Sequence, residues 1–199
     1  MAMRLQELHP ALVHFPITLL PVAVGADALG KLTGSASLLR IGKVGIALAA
    51  GSAVVSAVAG LIAQEEVKAE GAAHDLLVTH RNLNIALVGV ALLMARHRAR
   101  RRRPSFRYLA TGAAGIGLMS YTSYLGGHMV YEYGVGVVAA DGADGRPPEL
   151  RLAEARAVAE AAIEDLRTGA RHVMEDFAAG EVVPWLSRAE SAPELRQPG

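Results

Sequence analysis

Four long apolar runs, at residues 10–32, 41–63, 76–95 and 108–127, constrain this chain more than any other feature of its sequence. Each supplies the roughly 20 helical residues that cross about 30 Å of hydrocarbon. A soluble helix of that length would keep one polar face. The second run, IGKVGIALAAGSAVVSAVAGLIA, keeps none beyond Ser52, Ser56 and its opening Lys43. Composition agrees, with 52% of the 199 residues hydrophobic and 20% charged. The sequence therefore predicts an all-α fold, a transmembrane four-helix bundle over residues 5–138, because a helix satisfies its own backbone in lipid.

The net charge of +1 conceals a split. Residues 1–140 carry 13 Lys and Arg against 7 Asp and Glu, whereas residues 141–199 carry 7 against 12. The acidic stretch reads as a tail over 139–199, outside the lipid, with an amphipathic helix at about 149–180 after the hinge DGADGRPPEL. Along it Ala159, Ile163, Leu166, Ala170, Val173 and Phe177 recur at alternating spacings of 4 and 3, a seam that predicts packing on the bundle or on a second copy of the chain. The N-terminus lacks the layered charge and apolar pattern of a cleaved signal peptide.

Between the third and fourth runs lies RHRARRRRPSFR, with seven Arg between Arg96 and Arg107. In a soluble chain such a run would suggest nucleic acid. Between two spans it is a topology signal, and it places this loop in the cytoplasm. No nucleic-acid partner is expected, and both termini should lie outside. Asp27, near the same end, reads as an i,i+4 partner of Lys31.

This topology puts five of the seven histidines in one outer tier: His9, His14, His74, His80 and His128. Polar groups at membrane depth are costly and mark sites. His14 and His80, on different spans, form the expected ligand pair, with His128 as the substitute and His9 in a cap-like position before the helix begins. Asn84 lies one turn below His80 on the same face, and Tyr121, Tyr124 and His128 form one stripe. Gly45, Ala49, Ala53 and Ala57 make a small-residue row, which either packs helices closely or leaves a slot for a flat cofactor.

With no Cys in the chain, thiolate, iron–sulfur and c-type haem ligation are excluded. The tier predicts one b-type haem, its iron held by His14 and His80, with Asn84, Tyr124 and His128 lining the site. Two axial imidazoles leave no open position, so electron transfer is the expected task. A Zn or Cu site from His14, His80 and His128 with Glu70 or Asp75 is the alternative, and His9 and His74 are alternate ligands. A cofactor-free scaffold or accessory subunit is the rival from another class.

The segments HPALVHFPI at 9–17, HRNLN at 80–84 and LGGHMVYEYGVGV at 125–137 resemble the bacterial four-span membrane family known as domain of unknown function 2231. The likeness covers residues 5–138. It implies a bacterial inner-membrane protein and singles out His9, His14, His80, Asn84, Gly126, Gly127 and Tyr131. Fusion of such domains to Rieske or cytochrome modules implies a redox setting. This chain has no Cys for such a module, so its redox partner would be a separate protein.

Overall fold

The computed structural model describes residues 5–137 and 155–191. Seven helices form among them: α1 Leu5–Leu12, α2 His14–Thr33, α3 Ala36–Ala63, α4 Ala72–Ala99, α5 Phe106–Tyr133, α6 Ala155–Ala178 and α7 Pro184–Ser191. No strand occurs among the described residues. The expected start of the tail helix at 149–154 lies outside the described residues; from Ala155 the helix is present.

α1 and α2 are one rod with a break at Val13. Pro16 lacks an N–H, so the Leu12 carbonyl has no partner four residues on, and the ladder is interrupted there. It resumes through Ile17 N–H to the Val13 carbonyl at 3.2 Å. The rod ends at Gly34, whose φ of 74° turns the chain and whose N–H caps the Gly30 carbonyl at 3.0 Å. Ser35 then caps α3 by accepting from Leu38 N–H. A short αL turn followed at once by a cap makes α2 and α3 a tight antiparallel hairpin.

Small residues let this hairpin close. A Cβ on Gly45 would stand 3.0 Å from the Ala23 Cβ, and Gly45 and Ala49 are both buried. Gly45 and Ala49 of the small-residue row of the second span thus pack against α2. α5 lies against α4 and α2, with Gly112 fitted to Val24 and Met94. The core gathers Leu20, Val24, Ile46, Leu87, Met94, Tyr108 and Met119.

Large apolar side chains point outward instead. Val22, Leu29, Leu32, Ile41, Val44, Leu48, Val55, Leu92 and Leu93 are exposed. A water-soluble surface rarely carries so continuous an apolar area, while small buried residues and large lipid-facing ones are usual in bilayers. Glu7–Thr33, Ala36–Ala63 and Ala72–Ala99 are each long and apolar enough to cross a membrane. α5 is equally long at 28 residues, but its Gly, Ser, Thr and Tyr make it less apolar. The protein is a multi-pass, all-α membrane bundle.

At the arginine end the expected Asp27–Lys31 pair does not form. Lys31 reaches the Pro104 carbonyl at 2.9 Å and sits over the Phe106 ring. Asp27 pairs with Arg98, and the two side chains are 0% and 1% exposed. All five guanidinium N–H groups have acceptors: Nε and Nη2 on Asp27, Nη2 also on the Leu39 carbonyl at 2.8 Å, and Nη1 on the Arg101 and Arg102 carbonyls. Gly42 makes room, since any Cβ there would overlap the Asp27 carboxylate. The pair was hidden because 71 residues separate its members.

Breaking this pair leaves an uncompensated buried charge. Asp27→Ala or Arg98→Ala should lower stability by about 3–5 kcal/mol, read as a large drop in thermal unfolding temperature in detergent. Arg96→Ala, at an exposed position on the same helix, should stay within about 0.5 kcal/mol of the parent. Equal behaviour of Asp27→Ala and Arg96→Ala would contradict a buried pair.

Candidate functional site

At the opposite end of the bundle two imidazoles meet, and they belong to His9 and His80. Their ring centres are 6.4 Å apart with planes at 89°. His9 Nδ1 lies 2.9 Å from the Ser56 carbonyl of α3, and His80 Nδ1 lies 2.9 Å from the Thr122 carbonyl of α5. A carbonyl only accepts, so both rings are Nδ1–H tautomers with the lone pair on Nε2. Asn84 Nδ2 donates toward His80 Nε2 at 3.2 Å and to the His80 carbonyl at 2.8 Å. The i,i+4 spacing of His80 and Asn84 produces this contact.

Glycines make space for both rings. A Cβ on Gly60 would stand 3.0 Å from His9 Nδ1, and one on Gly126 would stand 3.2 Å from His80 Cε1. Gly126 belongs to the LGGHMVYEYGVGV segment, and its missing side chain is where the His80 ring rests.

The expected pairing of His14 with His80 is therefore corrected: His14 is exposed and His9 takes the inner position. The helix starts at Leu5, not at Pro10, so His9 falls on a formed turn that faces α3. Five residues on, His14 must face away, since that step rotates a helix by about 140°. His128 does not join the pair either. It packs between Tyr124, Tyr133 and Trp185, with ring centres 5.8, 5.7 and 5.8 Å away. Tyr124 is mostly exposed and stacks on Tyr121 and His128 as an aromatic stripe. His74 is exposed on the first turn of α4.

The compact Zn or Cu set of His14, His80 and His128 with Glu70 or Asp75 is also not assembled. Asp75 is held by Arg188, Glu70 is exposed, and among the described residues no three His, Asp or Glu stand ready to hold one ion.

Sequence reasoning missed the role of the polar turn that follows. Arg81 and Asn82 look into the tail rather than a cavity. Arg81 Nη2 bonds Asp176 of α6 at 2.6 Å, and Asn82 Nδ2 donates to the Glu181 and Val182 carbonyls at 3.2 and 2.8 Å. Thr79 accepts from Trp185 N–H at 3.0 Å. Arg188 joins Asp75 to Glu181. The acidic sign of the tail was the available signal, but it gave no residue pairing.

α6 crosses the end of α3 on a row other than the one its apolar seam suggests. Val158 and Gly169 are its buried residues, His172 meets Glu65 at 3.0 Å, and Asp176 meets Arg81. A Cβ on Gly169 would lie 2.7 Å from the Leu61 carbonyl. The expected seam is turned aside, with Ile163 50% and Phe177 44% exposed. A helix end offers unpaired carbonyls and charges, and the residues that meet it, Gly169, His172 and Asp176, are small or polar.

Glu66 and Asp165 face each other across this contact. Burial, followed by the charge of Asp165, raises the Glu66 pKa; burial and the neighbouring Glu65 and Glu164 charges raise that of Asp165. A carboxyl whose folded pKa is raised favours folding while protonated. That contribution is complete below the ordinary carboxyl range and is lost as pH rises through the raised values.

Two outcomes follow from these contacts. Asn82→Ala frees two carbonyls and should weaken tail docking by about 1–3 kcal/mol, seen as faster protease clipping between the bundle and α6 while the bundle stays folded. Protection of the α6 amides, taken as exchange relative to the unfolded-chain rate at the same pH, should also fall as pH rises above the ordinary carboxyl range, and Glu66→Gln with Asp165→Asn should flatten that slope. A slope unchanged in the double variant would rule out the carboxyl pair as its source.

No curated protein and no solved structure matches this chain. Residues 6–139 match the family described as predicted membrane protein, DUF2231, a span that includes His9, His80, Asn84 and Gly126. With well over half of its length inside that match, the chain belongs to this family of membrane proteins.

Proposed function

We propose that the protein is a membrane redox subunit holding one metal centre between His9 and His80. The observation that carries this reading is the tethering of both rings. Each Nδ1–H is fixed on a helix carbonyl at 2.9 Å, which leaves Nε2 as the ligand atom. Metal-bound histidines are oriented in this way through their second nitrogen. Imidazole suits haem iron and copper alike. Such a centre, when bound, supplies one-electron exchange. The chain's own part is to fix both rings, with Asn84 swinging off His80 Nε2 to free it.

A second reading, a cofactor-free scaffold or accessory subunit, is favoured by two contacts. Asn84 already occupies His80 Nε2 at 3.2 Å. The rings themselves fill the spaces beside Gly60 and Gly126 that the edge of a porphyrin would need. On this reading the pair is an interhelical staple, tying α1 to α3 and α4 to α5.

Both readings take the same setting. The arginine loop lies in the cytoplasm of a bacterium and the histidine end, with both termini, lies outside the inner membrane. Electrons would pass to a separate redox protein. The exposed Ile163 and Phe177 row of α6 is the surface by which two copies would pair.

Absorbance and elemental analysis of protein purified from haem- and copper-replete cells decide between the readings. A Soret band lost in His9→Ala and His80→Ala but kept in His14→Ala supports haem. One copper per chain with the same pattern of loss supports a bare ion. Colourless, metal-free protein overturns the redox reading and leaves the scaffold.

A further inference from the structure

We infer that the arginine end carries a binding site for the phosphate of an anionic phospholipid, in a groove at the C-terminal end of α4. The groove has a volume of about 260 Å³ and is lined by Leu93, Arg96, His97, Arg100 and Arg101. No carboxylate lines it. It lies apart from the histidine pair and is independent of the redox reading.

Three features make this a built site rather than a loose basic loop. First, Arg98 lies in the middle of the cluster yet is withdrawn from it, since Asp27 neutralises it and its remaining donors hold the Arg101 and Arg102 carbonyls. The loop backbone is thereby fixed, and the neighbouring arginines are turned outward. Second, Arg96, Arg100 and Arg101 are exposed and have no acidic partner among the described residues. Arg96 and Arg100 stand at i,i+4, where like charges repel unless an anion lies between them. Third, the His97 ring is stacked on Tyr108 with centres 6.0 Å apart, a rigid wall for the groove.

Position selects a lipid over other phosphates. Leu93, at the foot of the groove, is 68% exposed, and its neighbour Leu92 is 47% exposed. Both belong to the apolar surface that meets hydrocarbon. The groove therefore spans the boundary, with acyl-chain surface below and guanidinium groups above. A planar guanidinium binds phosphate oxygens through paired N–H donors, and basic pockets at the ends of membrane helices bind lipid headgroups in this way. A free phosphate would use the arginines but not the leucines.

The test is lipid retention by the full-length protein in detergent, measured by native mass spectrometry after adding phosphatidylglycerol or phosphatidylcholine. Phosphatidylglycerol should be retained and phosphatidylcholine should not. Each arginine removed in Arg96→Gln/Arg100→Gln and in Arg96→Gln/Arg100→Gln/Arg101→Gln should weaken retention by about fivefold. A matching triple Lys variant, which keeps the charge but not the paired donors, should retain more lipid than the triple Gln variant and less than the parent, which separates loss of charge from loss of fold. Equal retention by parent and Gln variants overturns the proposal. So does displacement of the lipid by inorganic phosphate at comparable concentration, which would assign the groove to a soluble anion. Preferential capture of a single-stranded oligonucleotide over phosphatidylglycerol overturns it as well.

Discussion

In hydrocarbon a polar group must find its partner within the protein, and the arrangement of this bundle is governed by how its buried polar side chains meet that demand. Asp27 and Arg98 are the extreme case. The carboxylate of α2 and the guanidinium of α4 are almost completely buried, and the remaining guanidinium donors hold the Leu39, Arg101 and Arg102 carbonyls. One side chain thus links α2, α3, α4 and the arginine loop. Apolar residues of similar volume can match a buried ion pair in stability. What they cannot supply is direction, and a five-donor fork accepts one helix rotation and one loop path.

The histidine end solves the same problem twice on one helix. Asp75, Thr79 and Asn82 lie at i, i+4 and i+7 of α4, on a common face, and all three hold α7 or the turn that leads into it. His80 and Asn84 occupy nearly the opposite face and are turned toward α1 and α5. The short motif HRNLN therefore serves two surfaces: one seals the bundle internally and the other seats the tail. Seating the tail covers polar groups that would otherwise be left without partners near the membrane boundary.

Some of the site was legible beforehand. The depth of the histidine tier follows from the ends of the apolar runs, and the His80 and Asn84 contact follows from helical spacing. The choice of His9 over His14 does not. It depends on where the first helix begins, and the residues before Pro10 carry a weak helix signal that the packing against Ser56 and Gly60 overrides. The α6 seam misleads for a related reason. Apolar periodicity identifies a face that avoids water, but the surface under α6 is a polar helix end, so a neighbouring row docks and the apolar one is left outward.

The sequence by itself determined the four apolar rods and the arginine loop between the third and fourth. These are properties summed along a local stretch of chain, where hydropathy and backbone preference act within a few turns. Tertiary structure decided which face of each rod points inward, and with it that Asp27 meets Arg98 rather than Lys31, that His9 rather than His14 meets His80, and that Arg81 meets the tail. Those outcomes depend on the rotation and axial register of one helix against another. Both are set by close approach at small residues such as Gly42, Gly45, Gly60 and Gly126, between segments that no local periodicity connects.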